Sequence, residues 1–180
     1  VTGTVGNLHA QPEDVDRRRL DLKSQGIVAI AVRAAQGDLE RLKVEIHAGL
    51  DQGLTVNQIK ESLVHMYAYC GFPRSIRGLQ TLMEVLEDRK SKGIKEVWGN
   101  EATVIADERS KYDRGKEILG KLTGISQEQP RKGYAAFAPE IEIFLKEHLF
   151  ADLFERDVLT YSERELVTIS VLSAIGGVEP

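Results

Sequence analysis

The stretch Glu45–Ser75, EIHAGLDQGLTVNQIKESLVHMYAYCGFPRS, decides the fold. It reads as the end of one helix, a glycine stop, a capped helix, a second stop and the start of a third. Leu50, Gly53, Leu54 and Thr55 carry the first changeover. Thr55 and Gln58 have capping-box spacing: the threonine oxygen can accept an orphan backbone N–H while the glutamine reaches back to the cap. Ile59, Leu63, Met66 and Cys70 then recur at i, i+4, i+7 and i+11, one face of a helix. Gly71 stops that helix, and Pro73 suits the first turn of the next, where a missing N–H costs nothing.

The same pattern continues in both directions. Upstream, Ile27, Val28, Ile30, Ala31 and Ala34 mark a helix over 24–36 that Gly37 closes. Asp38 can cap the next, whose buried stripe is Leu39, Leu42, Ile46 and Leu50. Residues 1–20 are polar and read as an extended arm. Downstream, a helix from Pro73 to about Lys92 buries Ile76, Leu79, Leu82, Met83 and Leu86 and ends at Gly93. Residues 94–110 look irregular; a helix over 111–122 stops at Gly124; a polar loop over 126–133 holds Pro130. Pro139–Phe150 reads as a helix with Ile141, Phe144, Leu145 and Leu149 on one side, and 162–175 as the last helix. No alternation of period two runs beyond four residues, so the fold class is all-α, a helical bundle.

Composition excludes several function classes. A chain of 180 residues can bury a substantial core without disulfides or metal. A net charge of −4 with no long basic run argues against nucleic-acid binding, which needs clustered Lys and Arg. A single cysteine excludes an intrachain disulfide and any Cys-x-x-Cys redox or zinc pair. No apolar run approaches the roughly 20 residues that span a bilayer. With no signal-peptide pattern, the expected compartment is the cytoplasm, although a chain beginning at Val1 leaves a removed leader open.

The final helix repeats an earlier one. Ile27–Gly37, IVAIAVRAAQG, set against Leu166–Gly176, LVTISVLSAIG, shares Val, Ile, Ala and Gly at one constant offset. Two buried helices that end in glycine would also look alike, so coincidence competes with a true repeat. A true repeat is cut short at Pro180, where its second helix should begin.

At this point the residues suggest a family. Gly53-Leu-Thr55, Ile59–His65, Tyr69–Pro73 and Arg164–Gly176, in this order and spacing, resemble the carboxymuconolactone decarboxylase family, which includes the alkyl hydroperoxidase D branch. The resemblance covers 24–92 and 158–180, about half the chain. It implies an alkyl hydroperoxidase D-like bundle of two related repeats, the second incomplete. The expected units are an arm over 1–20, a first repeat over 21–93, connecting and lead-in helices over 94–157, and the start of a second repeat over 158–180. It also implies a homo-oligomer, a trimer or hexamer-like ring.

The family's chemistry transfers unevenly. The peroxidase branch uses a glutamate, a Cys-x-x-Cys pair and a histidine. The matching positions are Gly26, Asp38, Arg41 and Glu45 in the first repeat, and Glu165, Gly177 and Pro180 in the second, whose histidine position lies beyond the end. The thiol pair is absent from both. The decarboxylase branch needs none: loss of CO2 leaves an extended enolate, which wants an acid or hydrogen-bond donor at the lactone carbonyl. The histidine of that branch falls on Glu45, and His47 sits two residues off, about 200° round the helix. His65 and Tyr69 match polar positions of the branch.

The resemblance therefore names Glu165 and His65 as catalytic candidates and Tyr69 and Arg74 as substrate contacts, with no metal and no cofactor. Each has a plainer reading. Glu165 follows Ser162 at capping-box spacing; His65 suits a hydrogen-bonded core position; Tyr67 and Tyr69 suit packing; Cys70 suits a small buried hydrophobe. Arg74 could meet a substrate carboxylate, cap a helix dipole or bridge subunits. The leading expectation is cofactor-free acid–base chemistry, decarboxylation or a related carboxy-lyase reaction, on a small carboxylated metabolite, with no nucleic-acid or membrane partner. The alternatives are hydroperoxide reduction (peroxiredoxin-like activity) and a non-catalytic oligomeric or small-molecule-binding protein.

Overall fold

Capping side chains and left-handed glycines set the helix boundaries in the computed structural model, which describes residues 19–178. The expected arm lies almost wholly outside the described residues. Helix α1 (Leu22–Gln36) starts under Asp21, which accepts from the Ser24 N–H, and closes at Gly37 (φ 73°). Asp38 caps α2 (Leu39–Asp51) by accepting from the Arg41 N–H. Both members of the Thr55–Gln58 box form at the start of α3 (Val56–His65). Between α3 and α4 (Tyr67–Ser91), Met66 keeps helical angles, and the true break falls at Gly71 (φ 80°, ψ 163°). That conformation excludes a residue with a Cβ at little cost, so the expected stop holds.

The later elements are α5 (Lys111–Thr123), α6 (Tyr134–Phe137), α7 (Pro139–Phe144), a π-helix (Leu145–Phe154) and α8 (Tyr161–Ile175). Among the described residues there is no strand, and the protein is all-α. Helices α1 and α8 begin, end and cap at positions related by the same offset that aligns their sequences, and they pack on each other.

Three expectations need correction. Of the expected α4 stripe, Leu82 is buried and Leu79 and Leu86 pack against the core, but Ile76 and Met83 are exposed, and Ser75, Gly78, Val85 and Arg89 complete the buried face. Small residues win this face because α3 comes so close: a Cβ on Gly78 would lie 2.8 Å from Leu63 Cδ2, and Ser75 Oγ donates to the Leu63 carbonyl across 2.7 Å. The helix expected over 139–150 is a short α-helix that widens into a ten-residue π-helix, and Ile141 and Phe144 face outward. Its inner contact is with α5, where a Cβ on Gly115 would lie 1.7 Å from the Lys146 carbonyl oxygen. Finally, the capping box of α8 is Thr160–Glu163, not Ser162–Glu165, because the helix starts at Tyr161 and Glu163 is its third residue.

The main core joins α1, α2, α3, α4 and α8 through Ile27, Ile30, Leu42, Ile46, Ile59, Leu63, Leu82, Val85, Val167 and Val171. Helix α5 packs separately on the π-helix. The irregular segment after α4 is held by its backbone. The carbonyls of Val97 and Trp98 accept from the N–H groups of Val56 and Asn57 (3.0 and 2.9 Å), two of the orphan donors at the start of α3. Asn57 Nδ2 donates to the carbonyls of Gly99 and Asn100, and Asp157 receives both the N–H and the hydroxyl of Thr103.

Candidate functional site

Two pairs of residues, each one helical turn apart, face one another between α3 and α8. Helix α3 supplies Glu61 and His65; α8 supplies Arg164 and Thr168. Arg164 Nη2 donates to Glu61 Oε1 across 2.9 Å, and Arg156, from the turn before α8, grips the same carboxylate with Nε and Nη2 at 2.7 and 3.0 Å. Burial by itself would raise the Glu61 pKa, but the two guanidinium contacts outweigh it and hold the carboxyl below its usual range. The trio carries one positive charge in excess.

His65 is fully enclosed. Arg164 Nη1 lies 3.4 Å from its Nδ1, and Thr168 Oγ1 lies 3.2 Å from its Nε2. A guanidinium only donates, so Nδ1 must be the acceptor. The Thr168 hydroxyl gives its own proton to the Arg164 carbonyl (3.0 Å), so the His65 Nε2–H donates to Thr168. The neutral tautomer is thereby defined. Burial, reinforced by the Arg164 charge, pushes the His65 pKa down to about 3. At neutral pH this ring orients its neighbours and carries no charge.

Tyr69 lies one turn beyond His65, with ring centroids 5.5 Å apart. Burial first, then the nearby Glu165 charge, raises its hydroxyl to about 12, so it stays protonated. Glu165 is half-buried, and desolvation alone raises its pKa. Because Glu163 does the capping, the Glu165 carboxyl is left for other work. Of the four expected residues, His65 touches Thr168, Tyr69 lies beside His65, and Glu165 sits on the same helix as Thr168, one turn earlier.

Arg74 does not join them. It is exposed and packs so tightly over Gly37 that a Cβ there would lie 1.5 Å from its Nη1. That places the cation at the carbonyl end of α1, where a helix dipole favours it. Among the described residues no hydrogen bond or ion pair links it to Glu165 or Tyr69. Sequence reasoning missed Glu61, Arg156, Arg164 and Thr168 as parts of the site. Glu61 did carry a signal, since it shares a helical face with His65 one turn away.

Cys70 is half-buried, its Sγ 3.2 Å from the Met66 carbonyl, and burial raises its thiol pKa. Such a sulfur is a weak nucleophile. Among the described residues no group of three or more His, Cys, Asp and Glu is placed to hold a metal ion, and no helix is long and apolar enough to cross a membrane.

Comparison with known proteins bears on the first half of the chain. Residues 10–84 match the model of the carboxymuconolactone decarboxylase family. An uncharacterized protein of Methanocaldococcus jannaschii is 32% identical over 85 residues, which cover 47% of this chain and 78% of that protein. A 4-carboxymuconolactone decarboxylase of Acinetobacter baylyi is 31% identical over 72 residues, 40% of this chain. The match spans 54% of that enzyme, about half its length.

Proposed function

This chain belongs to the carboxymuconolactone decarboxylase family, and from that premise we propose that it catalyses cofactor-free acid–base chemistry, decarboxylation or a close relative, on a small carboxylated metabolite. The observation that carries the proposal is a half-buried carboxyl, Glu165 on α8, near the half-buried hydroxyl of Tyr69, beside His65; burial raises the pKa of both groups. As the C–C bond to the substrate carboxylate breaks, its electron pair enters the conjugated carbonyl as an enolate. The Tyr69 hydroxyl supplies a hydrogen bond to that oxygen. Glu165, protonated more readily than an exposed glutamate, gives its proton to carbon and is then reprotonated by solvent. His65 is a positioning residue that fixes Thr168, and the excess positive charge of Arg156 and Arg164 attracts the anionic substrate.

The reading includes tandem repeats and a ring of several copies. The shared offset of α1 and α8 supports the repeats, and the exposed Ile76, Met83, Val97 and Val104 support contact between copies. Hydroperoxide reduction finds no support from Cys70, whose thiol has no partner cysteine in the chain.

The test is to incubate the purified protein with 4-carboxymuconolactone and follow the loss of substrate by ultraviolet absorbance. Turnover should fall at least about a hundredfold in Glu165→Gln. Absence of turnover in the wild type, or full activity in E165Q, would sink the reading.

A further inference from the structure

The segment 139–154 turns apolar side chains outward, and they form the wall of a cleft. Ile141 and Phe144 are 50% and 61% exposed, and Phe72 across from them is 64% exposed. With Tyr67, Leu145 and Leu149 they bound an open space of about 380 Å³, within the range of small-molecule sites. The rings of Tyr67 and Phe72 stack on each other at 4.6 Å and 18°, which holds both aromatic side chains in place at one side of the cleft.

An oriented imidazole enters this cleft. His148 sits with its ring centroid 5.5 Å from that of Tyr67. Its Nδ1 lies 3.0 Å from Asp152 Oδ2. Burial raises the Asp152 pKa, but Lys111, 2.8 Å from its other oxygen, and His148 outweigh that and keep it below the usual carboxylate range. An ionised carboxylate only accepts, so the Nδ1 of His148 carries a proton, and the neutral form of the ring presents the lone pair of Nε2 to the cleft. A carboxylate behind a histidine in this way fixes both the tautomer and the ring plane. The π-helix makes this wall, a backbone form common at functional sites.

We propose that this cleft binds a small planar phenol, its ring among Tyr67, Phe72, Ile141 and Phe144 and its hydroxyl donating to Nε2 of His148. An aromatic hydrocarbon offers Nε2 no donor, and an aromatic carboxylate would bring an acceptor against the lone pair of the neutral ring. The site is separate from the one around Glu165. Tyr67 and Tyr69 lie on one helical turn about 200° apart, so the two tyrosines face different sides of the chain.

Fluorescence titration of the intact protein with 2-naphthol, 2-naphthoate and naphthalene tests this. Binding of 2-naphthol should be about tenfold tighter than that of either analogue. His148→Phe should abolish the preference, Asp152→Asn should weaken 2-naphthol binding several-fold, and Leu149→Trp should exclude all three by filling the cleft. Circular dichroism and native mass of each variant control for folding and assembly. E165Q should bind 2-naphthol unchanged, which separates this site from the proposed catalytic one. Equal affinity for the three probes, a preference that survives H148F, or no binding because a second copy covers the cleft would each overturn the proposal.

Discussion

Arg164 on α8 donates to Glu61 on α3 across 2.9 Å, with 0% and 1% of the two side chains exposed. This contact, with the Arg156 fork beside it, joins the last helix to the first half of the chain. A buried ion pair adds little net stability over an apolar pair of the same shape, but removing one partner leaves an uncompensated charge. Glu61→Ala strands two guanidiniums and should lower the unfolding free energy in urea by about 3–5 kcal/mol. Arg156→Ala, at a 36% exposed position, should cost clearly less. A loss below about 1 kcal/mol in E61A would mean that water already reaches the pair.

The depressed pKa of His65 makes stability depend on pH. Its folded value of about 3 lies below the unfolded value of 6.5, so the unfolded chain binds the extra proton in the window between them. The contribution is complete above pH 6.5 and declines as pH falls toward 3. Between pH 7 and pH 4.5 the decline should be about 2–3 kcal/mol. His65→Gln should flatten that part of the curve by the same amount. Parallel curves for the two proteins would show that His65 protonates without unfolding the site.

Helix α5 contains two glycines with opposite expectations. Gly115→Ala would place a Cβ 1.7 Å from the Lys146 carbonyl oxygen and must push α5 off the π-helix, at a cost of about 2–3 kcal/mol. At Gly120 the nearest atom is 3.6 Å away, so Ala there should stabilise by about 0.5–1 kcal/mol through its better helix propensity. Thermal unfolding of the two variants should move in opposite directions.

The start of α8 can be checked in the same way. Thr160 accepts from the Glu163 N–H at 3.2 Å, and the Thr160 N–H donates to the Glu163 carboxylate at 2.7 Å. Thr160→Ala should cost about 1 kcal/mol, and Ser162→Ala should stay within about 0.5 kcal/mol of the wild type. The reverse order would restore Glu165 to a capping role and remove it from the proposed chemistry.

Local signals carried most of the fold. Gly37, Gly71, Gly93 and Gly124 all take positive φ where the sequence places stops, and the Thr55–Gln58 box forms as its spacing predicts. The α4 stripe misled because periodicity counts apolar residues, whereas close helix contact selects small ones such as Ser75 and Gly78. The π-helix left no signal at all: its register depends on how α5 presses against Lys146. The site was half legible for a related reason. His65, Tyr69 and Glu165 follow from the family pattern, but the Glu61–Arg164 contact bridges more than a hundred residues, and no local rule reports it.

The backbone clasp between Val97–Trp98 and the start of α3 bears on how the gene product can be divided. A cut at residue 93 looks natural, since Gly93 ends a helix and the family match stops nearby, at residue 84. Yet such a fragment would leave the N–H groups of Val56 and Asn57 without the carbonyls that serve them, and Glu61 without either arginine. A fragment ending at residue 93 should therefore unfold at a lower urea concentration than the whole chain, because contacts made by later sequence complete the start of α3.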